Sequence, residues 1–186
     1  MIAHRTEVRE ASPIMVTGGA GYIGAGVVAS LLRQGANVVC VDSLAFGGES
    51  LVPFLSNPLL HLENCDIRDG NRVLSIIDRH KPGAIVHLAA IVGDPACAKR
   101  PDVAVAVNRD AAQYLADVAR DRGIQRFVFA STCSNYGKMP DQESVMFESS
   151  RLAPVSLYAE LKVEMERFLL DPSQHTREFS PTCLRF

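Results

Sequence analysis

The sequence predicts an α/β fold, namely a doubly wound parallel sheet with helices on both of its faces. Short apolar runs rich in β-branched and aromatic residues alternate along the chain with longer segments whose apolar residues recur at helical spacing. Most of the short runs are apolar on both faces, as in a parallel sheet that is covered on each side. Such alternation is typical of consecutive β-α-β units.

Six runs are interpreted as strands: 14–18, 37–42, 59–66, 84–90, 126–131 and 182–186. Four segments have helical spacing: 22–35, 69–80, 101–123 and 157–170. Their apolar stripes are Ile23, Val27 and Leu31 in the first helix, Val73, Ile76 and Ile77 in the second, and Leu157, Leu161, Met165, Phe168 and Leu169 in the last. The glycine- and proline-containing stretches 43–58, 91–101 and 138–156 are interpreted as loops.

Composition excludes several classes of protein. The chain has 186 residues, of which 47% are hydrophobic and 22% charged, with a net charge of -2, as expected for one domain with a sizeable core. It has no basic block to bind nucleic acid and no apolar run of the roughly 18–20 residues that cross a membrane. Residues 1–12 are expected to form a flexible arm ahead of a domain at 13–186. Five scattered cysteines suggest reduced thiols in a cytoplasmic protein.

A glycine pattern, TGGAGYIG, joins the first strand to the first helix and places Gly18, Gly21 and Gly24 three residues apart. Glycine permits a sharp turn, a close approach of the backbone to a pyrophosphate, and tight packing of helix on strand. The helix N-terminus then presents free N–H groups to the anion. The pattern predicts a Rossmann-like dinucleotide site that includes Tyr22 and Ile23.

The dinucleotide predicted from the second strand is NAD. That strand ends at Asp42, eighteen residues after Gly24, where a carboxylate accepts hydrogen bonds from ribose hydroxyls and repels a 2′-phosphate. No arginine follows nearby to favour NADP. Asp66 and Ile67 follow the third strand. At the end of that strand they would contact the edge of the adenine ring.

Taken together, the motifs resemble the extended short-chain dehydrogenase/reductase family, in particular its NAD-dependent sugar-nucleotide epimerase/dehydratase branch. The resemblance covers residues from about 14 to 186. The motifs occur in one order along the chain: Gly18, Gly21, Gly24, Asp42, Asp66, HLAA (87–90), Asn108, STCSNYG (131–137) and YAELK (158–162).

The resemblance implies three catalytic residues. Tyr158 and Lys162 match Y-x-x-x-K, and residues four apart share one face of a helix. Lys162 would hold the nicotinamide ribose and, with the cationic nicotinamide ring, lower the pKa of Tyr158 so that the phenol serves as general base. Thr132 would donate a hydrogen bond to the reacting sugar oxygen.

The resemblance also implies further contacts to the cofactor. Leu88, Ala89 and Ala90 would line it, and Asn108 would support the site from the middle of its helix. His87 is interpreted as a packed strand residue. No cluster of histidine, cysteine and carboxylate residues suggests a metal.

The reaction predicted is epimerisation, in which a sugar is oxidised to a keto-sugar and reduced again on its other face. Dehydratases of the family resemble one another in an Asp-Glu pair directly after the catalytic threonine, whereas this chain has Cys133 and Ser134. Net dehydrogenation or reduction is the alternative, and a regulatory NAD-binding module is a third reading. Cys133 is either an auxiliary acid or a packing residue, and Asp94 either contacts substrate or caps its loop.

The resemblance finally implies a nucleotide-sugar substrate and a homodimer formed through helices at about 102–122 and 157–170, where alanine-rich sequence suits close helix contact. Family members continue into a smaller lobe that grips the nucleotide. We therefore expect this chain to be the N-terminal part of a longer protein, with that lobe largely absent. Glu148 resembles an acidic residue of the family that precedes the catalytic tyrosine.

Overall fold

A six-stranded parallel sheet forms the centre of the computed structural model, which describes residues 12–138, 145–174 and 178–186. The strands are β1 Ile14–Thr17, β2 Val38–Asp42, β3 Leu60–Asn64, β4 Ala84–His87, β5 Arg126–Ser131 and β6 Ser180–Arg185. Their order in the sheet is β3-β2-β1-β4-β5-β6, and each neighbouring pair is parallel. This order confirms the doubly wound fold. The expected arm at residues 1–12 lies outside the described residues except for Ser12.

Within the described residues, six α-helices cover the sheet: α1 Tyr22–Arg33, α2 Gly70–His80, α3 Asp94–Lys99, α4 Pro101–Val105, α5 Ala112–Asp121 and α6 Leu157–Leu170. The segment Ala106–Ala111, between α4 and α5, is π-helical. Short 3₁₀ helices lie at Glu49–Phe54, Cys133–Tyr136 and Pro172–Gln174. Helix α3 and the first of these 3₁₀ helices fall in stretches that the sequence predicted as loops, because proline and glycine within them obscured any helical period.

The two faces of the sheet carry separate hydrophobic clusters. Met15 points into the cluster that β4 and β5 share with α2, α5 and α6. Its neighbour Val16 points into the other cluster, which is formed with α1. Successive residues of β1 are thus buried on opposite faces, as a covered parallel sheet requires. The stripe predicted for α2 is confirmed, since Val73, Ile76 and Ile77 are all buried.

The stripe predicted for α1 is displaced by one residue, although Val27 and Leu31 still pack, partly buried, against the core. The helix buries Gly24, Val28, Ala29 and Leu32, whereas Ile23 is 47% exposed. A Cβ on Gly24 would lie 2.1 Å from the carbonyl oxygen of Gly18, so α1 meets the strand-to-helix turn at that glycine. This close approach sets the rotation of the helix and turns the positions four and eight residues later toward the sheet.

Among the described residues, strand β6 is the last strand of the sheet and pairs in parallel with β5. The described part of the chain contains this one sheet with its helices and no second lobe. Among the described helices, none combines the length and the apolar character needed to cross a bilayer.

Candidate active site

The glycine turn (residues 18–24) lies at the carboxyl end of β1, in the middle of the sheet. Gly18 has a φ of +70°, and a Cβ there would lie 2.6 Å from the backbone nitrogen of Ala89. Because a side chain at Gly18 would collide with the chain after β4, and one at Gly24 would collide with Gly18, both positions require glycine. The turn therefore brings bare backbone to the end of the sheet, as the sequence predicted.

The N-terminus of α1 is open. Gly21 is its N-cap residue, and no side chain of the described residues caps the helix. The side chain of Tyr22 is fully exposed, as is about half of Ile23. The first N–H groups of a helix have no partner within it and carry the positive end of its dipole. This end of α1 can therefore accept an anion, with two apolar side chains beside it.

Asp42, at the end of β2, fixes the shape of the glycine turn. One carboxylate oxygen accepts a hydrogen bond from the backbone N–H of Ala20 at 3.0 Å, and the other accepts one from Leu44 at 2.8 Å. Each oxygen keeps a further lone pair, so the carboxylate retains the capacity to accept hydroxyl donors.

The third strand ends beside this carboxylate. An open groove passes between the tips of β2 and β3 and is lined by Ser43, Ala45, Asn64, Cys65, Asp66, Asp69 and Arg72. Asp66 forms an ion pair with Arg68 at 2.6 Å, whose hydrogen bonds lower the pKa of that carboxyl. Ile67 is buried, with Ala89 and Val107 in one small apolar cluster. Asp66 therefore borders the groove, while Ile67 packs behind it.

The chain after β4 is held against the end of β1. The backbone N–H of Leu88 donates to the carbonyl of Thr17 at 3.0 Å, and that of Ala89 donates to the Thr17 hydroxyl at 3.5 Å. The Thr17 hydroxyl in turn lies 2.7 Å from Nδ1 of His87. Complete burial lowers the pKa of His87 to about 3, so this imidazole is a neutral, packed strand residue, as expected. Ala90 continues the segment next to Ala89.

Asn108 holds the far end of the segment that follows β4. Its side chain accepts a hydrogen bond from the N–H of Ile91 and donates one to the carbonyl of the same residue, both at 2.8 Å. Asn108 is almost fully buried and lies in the π-helical segment. A π-helical turn inserts an extra residue and frequently marks a functional site. Here it aims the amide of Asn108 at the loop after β4.

Thr132 follows β5 and caps the 3₁₀ helix Cys133–Tyr136. Its hydroxyl oxygen accepts a hydrogen bond from the backbone N–H of Ser134 at 3.2 Å. Accepting this hydrogen bond does not use the hydroxyl proton, which remains available for donation to another acceptor. The next residue, Cys133, is exposed, and its backbone N–H donates to the carbonyl of Phe186.

Tyr158 and Lys162 lie on one face of α6. The Lys162 ammonium is buried, donates to the carbonyl of Ala130 at 2.8 Å and lies 5.8 Å from the centre of the Tyr158 ring. Burial lowers the pKa of Lys162 to about 8, so the side chain is still mainly charged at pH 7. Lys162 thus contacts β5 two residues before Thr132. Helix α6 and strand β5 therefore bring the three predicted catalytic residues together at the carboxyl end of the sheet.

The environment of Tyr158 raises the pKa of its phenol. Burial is the largest cause, followed by the acidic groups of Cys97, Asp94 and Cys133. Asp94 is exposed in the first turn of α3, where the N-cap residue is Gly93. The side chains of Asp94 and Cys133 thus lie within electrostatic reach of Tyr158. Positive charge is required to bring the phenol into its anionic form near neutral pH.

Sequence reasoning missed a set of polar residues behind this edge: Ser131, Asn135, Glu166 and Arg185. They form a connected hydrogen-bond network and, apart from Arg185, are almost fully buried. One signal was present in the sequence, because Glu166 follows Tyr158 and Lys162 at the same interval of four residues and so lies on the same helical face.

The fold and the glycine turn define a doubly wound α/β protein of the dinucleotide-binding class. Among the described residues, no group of three histidine, cysteine or acidic side chains is placed to hold a metal ion. The model of the "NAD dependent epimerase/dehydratase family" matches residues 14–186. The chain belongs to this family, which confirms the resemblance predicted from the motifs.

Curated relatives and solved structures agree with this assignment. A UDP-glucose 4-epimerase of Rhizobium meliloti is 38% identical over 158 residues, which cover 85% of this chain and 46% of the relative. The structure of Thermus thermophilus UDP-glucose 4-epimerase in complex with NAD matches with a TM-score of 0.84 and 30% identity, over 93% of this chain and 54% of that one. The UDP-Glc/GlcNAc 4-epimerase of Campylobacter jejuni matches with a TM-score of 0.86 and 29% identity, over 94% and 53%. This chain spans about half the length of these relatives.

Proposed function

We propose that the protein is an NAD-dependent sugar-nucleotide epimerase that oxidises a sugar hydroxyl transiently and reduces the ketone on its other face. The observation that carries the proposal is the placement of Thr132, Tyr158 and Lys162 at the sheet edge that also bears the glycine turn. Membership of the family and the UDP-glucose 4-epimerases among its relatives support the same activity.

The chain fits NAD. The glycine turn leaves no room for a Cβ at Gly18 or Gly24, and the open N-terminus of α1 suits a pyrophosphate. Asp42 retains lone pairs for ribose hydroxyls, and Asp66 borders the groove that would take the adenine. Residues 13–186 would thus serve as the NAD-binding domain. Bound NAD supplies a reversible hydride acceptor.

Two side chains would act on the sugar, and a third would act on the phenol of Tyr158. Tyr158 accepts the proton of the hydroxyl that is oxidised and returns it on reduction. Lys162 remains mainly protonated below a pH of about 8, and its charge, 5.8 Å from the centre of the Tyr158 ring, would oppose the burial that raises the pKa of that phenol. Thr132 would donate its hydroxyl proton to the same sugar oxygen, since the hydrogen bond that its oxygen accepts from Ser134 leaves this proton available.

The residues after Thr132 favour epimerisation over dehydration. Loss of water from a keto-sugar requires groups that remove an α-proton and protonate the departing hydroxyl. Cys133 and Ser134, which stand at the positions of the dehydratases' acidic pair, are not carboxylates. Epimerisation requires no additional acid, because the ketone receives the hydride back on its other face. Cys133 and Asp94, which both lie within electrostatic reach of Tyr158, would border the sugar.

The test is a panel of nucleoside diphosphate sugars incubated with the protein and a catalytic amount of NAD, with products followed by NMR. We expect a pair of epimers to form and Tyr158→Phe to lower kcat by about 10²- to 10⁴-fold. Tyr114→Phe, which removes an exposed phenol that donates to Gly70, should leave kcat unchanged. Accumulation of NADH in step with product would select a dehydrogenase, and NAD binding without turnover would select a regulatory module.

The assembly that we propose is a homodimer formed through the helical layer of α4, α5 and α6. Several alanines of this layer, including Ala112, Ala116 and Ala119, are buried within the chain itself. The contact would therefore use the outer face, where Arg109 pairs with Asp110 and lies 3.8 Å from Glu164. A monomer mass by light scattering at micromolar concentration would exclude this assembly.

We propose a cytoplasmic location on the basis of the cysteines. All five are free thiols in the structure, and Cys40, Cys65 and Cys97 are buried. Reduced thiols persist in the cytosol. Fractionation of cells that express the protein, with marker enzymes for each compartment, tests the location.

A further inference from the structure

A buried carboxylate lies one helical turn beyond Lys162 on α6. Glu166 is 2% exposed and forms an ion pair with Arg185 of β6 at 2.6 Å. Ser131 and Asn135 also bind Glu166, and we call these four residues the Glu166 cluster. None of its members is among the residues proposed to bind NAD or to transfer a proton. A buried charge is tolerated only when several donors form well-aligned hydrogen bonds to it. The donors that contact Glu166 therefore show which segments of the chain it links.

The carboxylate of Glu166 accepts hydrogen bonds from three side chains. One oxygen accepts from the Ser131 hydroxyl, from Asn135 Nδ2 at 2.8 Å and from Arg185 Nε at 3.0 Å. The other accepts from Arg185 Nη2 at 2.6 Å and Nε at 3.2 Å. Burial alone would raise the pKa of Glu166, but these donors lower it below its usual value. The group is therefore an anion, held by the hydrogen bonds that these three described side chains donate to it.

The partners come from the segments on either side of the catalytic residues. Ser131 directly precedes Thr132, and Asn135 lies in the 3₁₀ helix that Thr132 caps. The remaining guanidinium nitrogen of Arg185, Nη1, donates to the hydroxyl of Tyr136 and to the backbone carbonyl of Glu148, each at 3.0 Å. Glu148 belongs to the segment that leads into α6.

A second contact ties that segment to the 3₁₀ helix. The backbone N–H of Ala153 donates to the carbonyl of Asn135 at 2.9 Å. The amide of Asn135 is oriented by the cluster as well, because Nδ2 donates both to Ser131 and to Glu166. A flipped amide would place its oxygen against the carboxylate and is therefore excluded. The segment around Thr132 and the segment that leads into α6 are thus both linked to the Glu166 cluster.

From this geometry we infer that Glu166 is a positioning residue, which fixes the separation between the Thr132 hydroxyl and the Tyr158 phenol. The inference rests on the proposed function, since it concerns the alignment of the same two groups on one sugar oxygen. A displacement of about 1 Å between reacting groups lowers rates by about a hundredfold. A shared anchor beneath both segments prevents such a displacement.

Only a carboxylate satisfies this arrangement. In Glu166→Gln, the side-chain NH₂ must face either Arg185 or the pair of donors from Ser131 and Asn135, so one side of the cluster loses its acceptor. In Ser131→Ala, one link to β5 is lost while the ion pair with Arg185 remains. The second variant therefore loosens the connection to Thr132 without leaving the guanidinium unpaired.

The experiment compares both variants with the wild-type protein, with kcat expressed per NAD-binding site so that unfolded protein does not count. We expect kcat to fall at least tenfold in Glu166→Gln and about threefold to tenfold in Ser131→Ala. The KM for the sugar nucleotide and the Kd for NAD should each stay within threefold. Glu160→Gln, which makes the same charge change on the exposed side of α6, should match the wild type.

A second readout does not depend on turnover. In Glu166→Gln, the NMR resonances of the Tyr158 side chain should shift or broaden, although Tyr158 lies two helical turns, about 12 Å, along the axis from the substituted residue. Those of the glycine turn should stay unchanged. If kcat per site and the Tyr158 resonances equal the wild type in both variants, Glu166 only stabilises the fold and the inference is overturned. If the wild type turns over no sugar nucleotide, the proposed function fails, while the resonances still decide whether Glu166 positions Tyr158.

Discussion

At the scale of single residues, the glycines of α1 show how space, rather than propensity, decides which side chain is allowed. A Cβ on Gly24 would lie 2.1 Å from the carbonyl oxygen of Gly18, whereas a Cβ on Gly26 would meet nothing within 4 Å. Both residues lie in the same helix, two positions apart. They therefore form a pair on one helix in which Gly24 is buried against the glycine turn and Gly26 is exposed.

We predict opposite effects for the two alanine substitutions. Gly24→Ala should lower the free energy of unfolding by about 1 to 3 kcal/mol, because the new methyl group forces α1 away from the turn. Its affinity for NAD should fall at least tenfold. Gly26→Ala should raise the free energy of unfolding by up to about 1 kcal/mol, because alanine favours a helix. Urea unfolding and NAD titration measure both quantities, and equal losses in the two variants would contradict the steric explanation.

His87, in the buried centre of the sheet, makes the stability of the folded protein depend on pH. It is fully buried between Thr17 and the ring of Phe129, and burial lowers its pKa from 6.5 to about 3. The unfolded chain therefore takes up a proton between these two values while the folded protein does not. The stability that results is complete above pH 6.5 and decreases as the pH falls toward 3.

We predict that the free energy of unfolding decreases by about 1 to 2 kcal/mol from this group between pH 6.5 and pH 5. His87→Gln, which does not titrate, should have a flatter dependence over the same interval, whatever its absolute stability. The measurement is urea unfolding at several pH values for the two proteins. Parallel curves would show that His87 titrates normally in the folded state.

At the scale of elements, α6 is the helix on which the site depends, and its first turn is fixed by a cap. The hydroxyl of Ser156 accepts a hydrogen bond from the backbone N–H of Ala159 at 3.3 Å. Tyr158 lies in the turn that this cap completes. The loss of a serine N-cap lowers stability by about 1 kcal/mol in typical helices.

We predict that Ser156→Ala lowers the free energy of unfolding by about 1 kcal/mol and lowers kcat more than it changes the affinity for NAD, because the frayed turn carries the phenol. Ser156→Thr keeps the hydroxyl and should retain most of both properties. Thermal unfolding and steady-state kinetics make the comparison. A loss in the threonine variant equal to that in the alanine variant would exclude capping as the cause.

At the scale of the whole molecule, the proposed NAD site joins three strands and one helix. The glycine turn follows β1, Asp42 ends β2, and the segment after β4 packs against Gly18. A ligand that binds such a site only in the folded state stabilises the entire sheet, by an amount set by its concentration relative to its Kd.

We predict that NAD at a hundred times its Kd stabilises the protein by about 2.7 kcal/mol, which corresponds to a rise in Tm of roughly 5 to 10 °C for a chain of this size. NADP at the same concentration should raise Tm much less, because the carboxylate of Asp42 repels a 2′-phosphate. Differential scanning calorimetry measures both. Equal shifts would show that Asp42 does not select the cofactor.

The sequence by itself determined the order of strands and helices, the position of the glycine turn and the pair Tyr158 and Lys162. These features depend on local patterns, since alternation of apolar runs, glycine spacing and a four-residue interval are each visible in a few consecutive residues. The tertiary structure decided what depends on contact between distant segments. It rotated α1 about Gly24 and converted part of the loop 91–101 into α3. It also joined Ser131, Glu166 and Arg185, which no local pattern relates, because a buried charge is satisfied by whichever donors the fold brings to it.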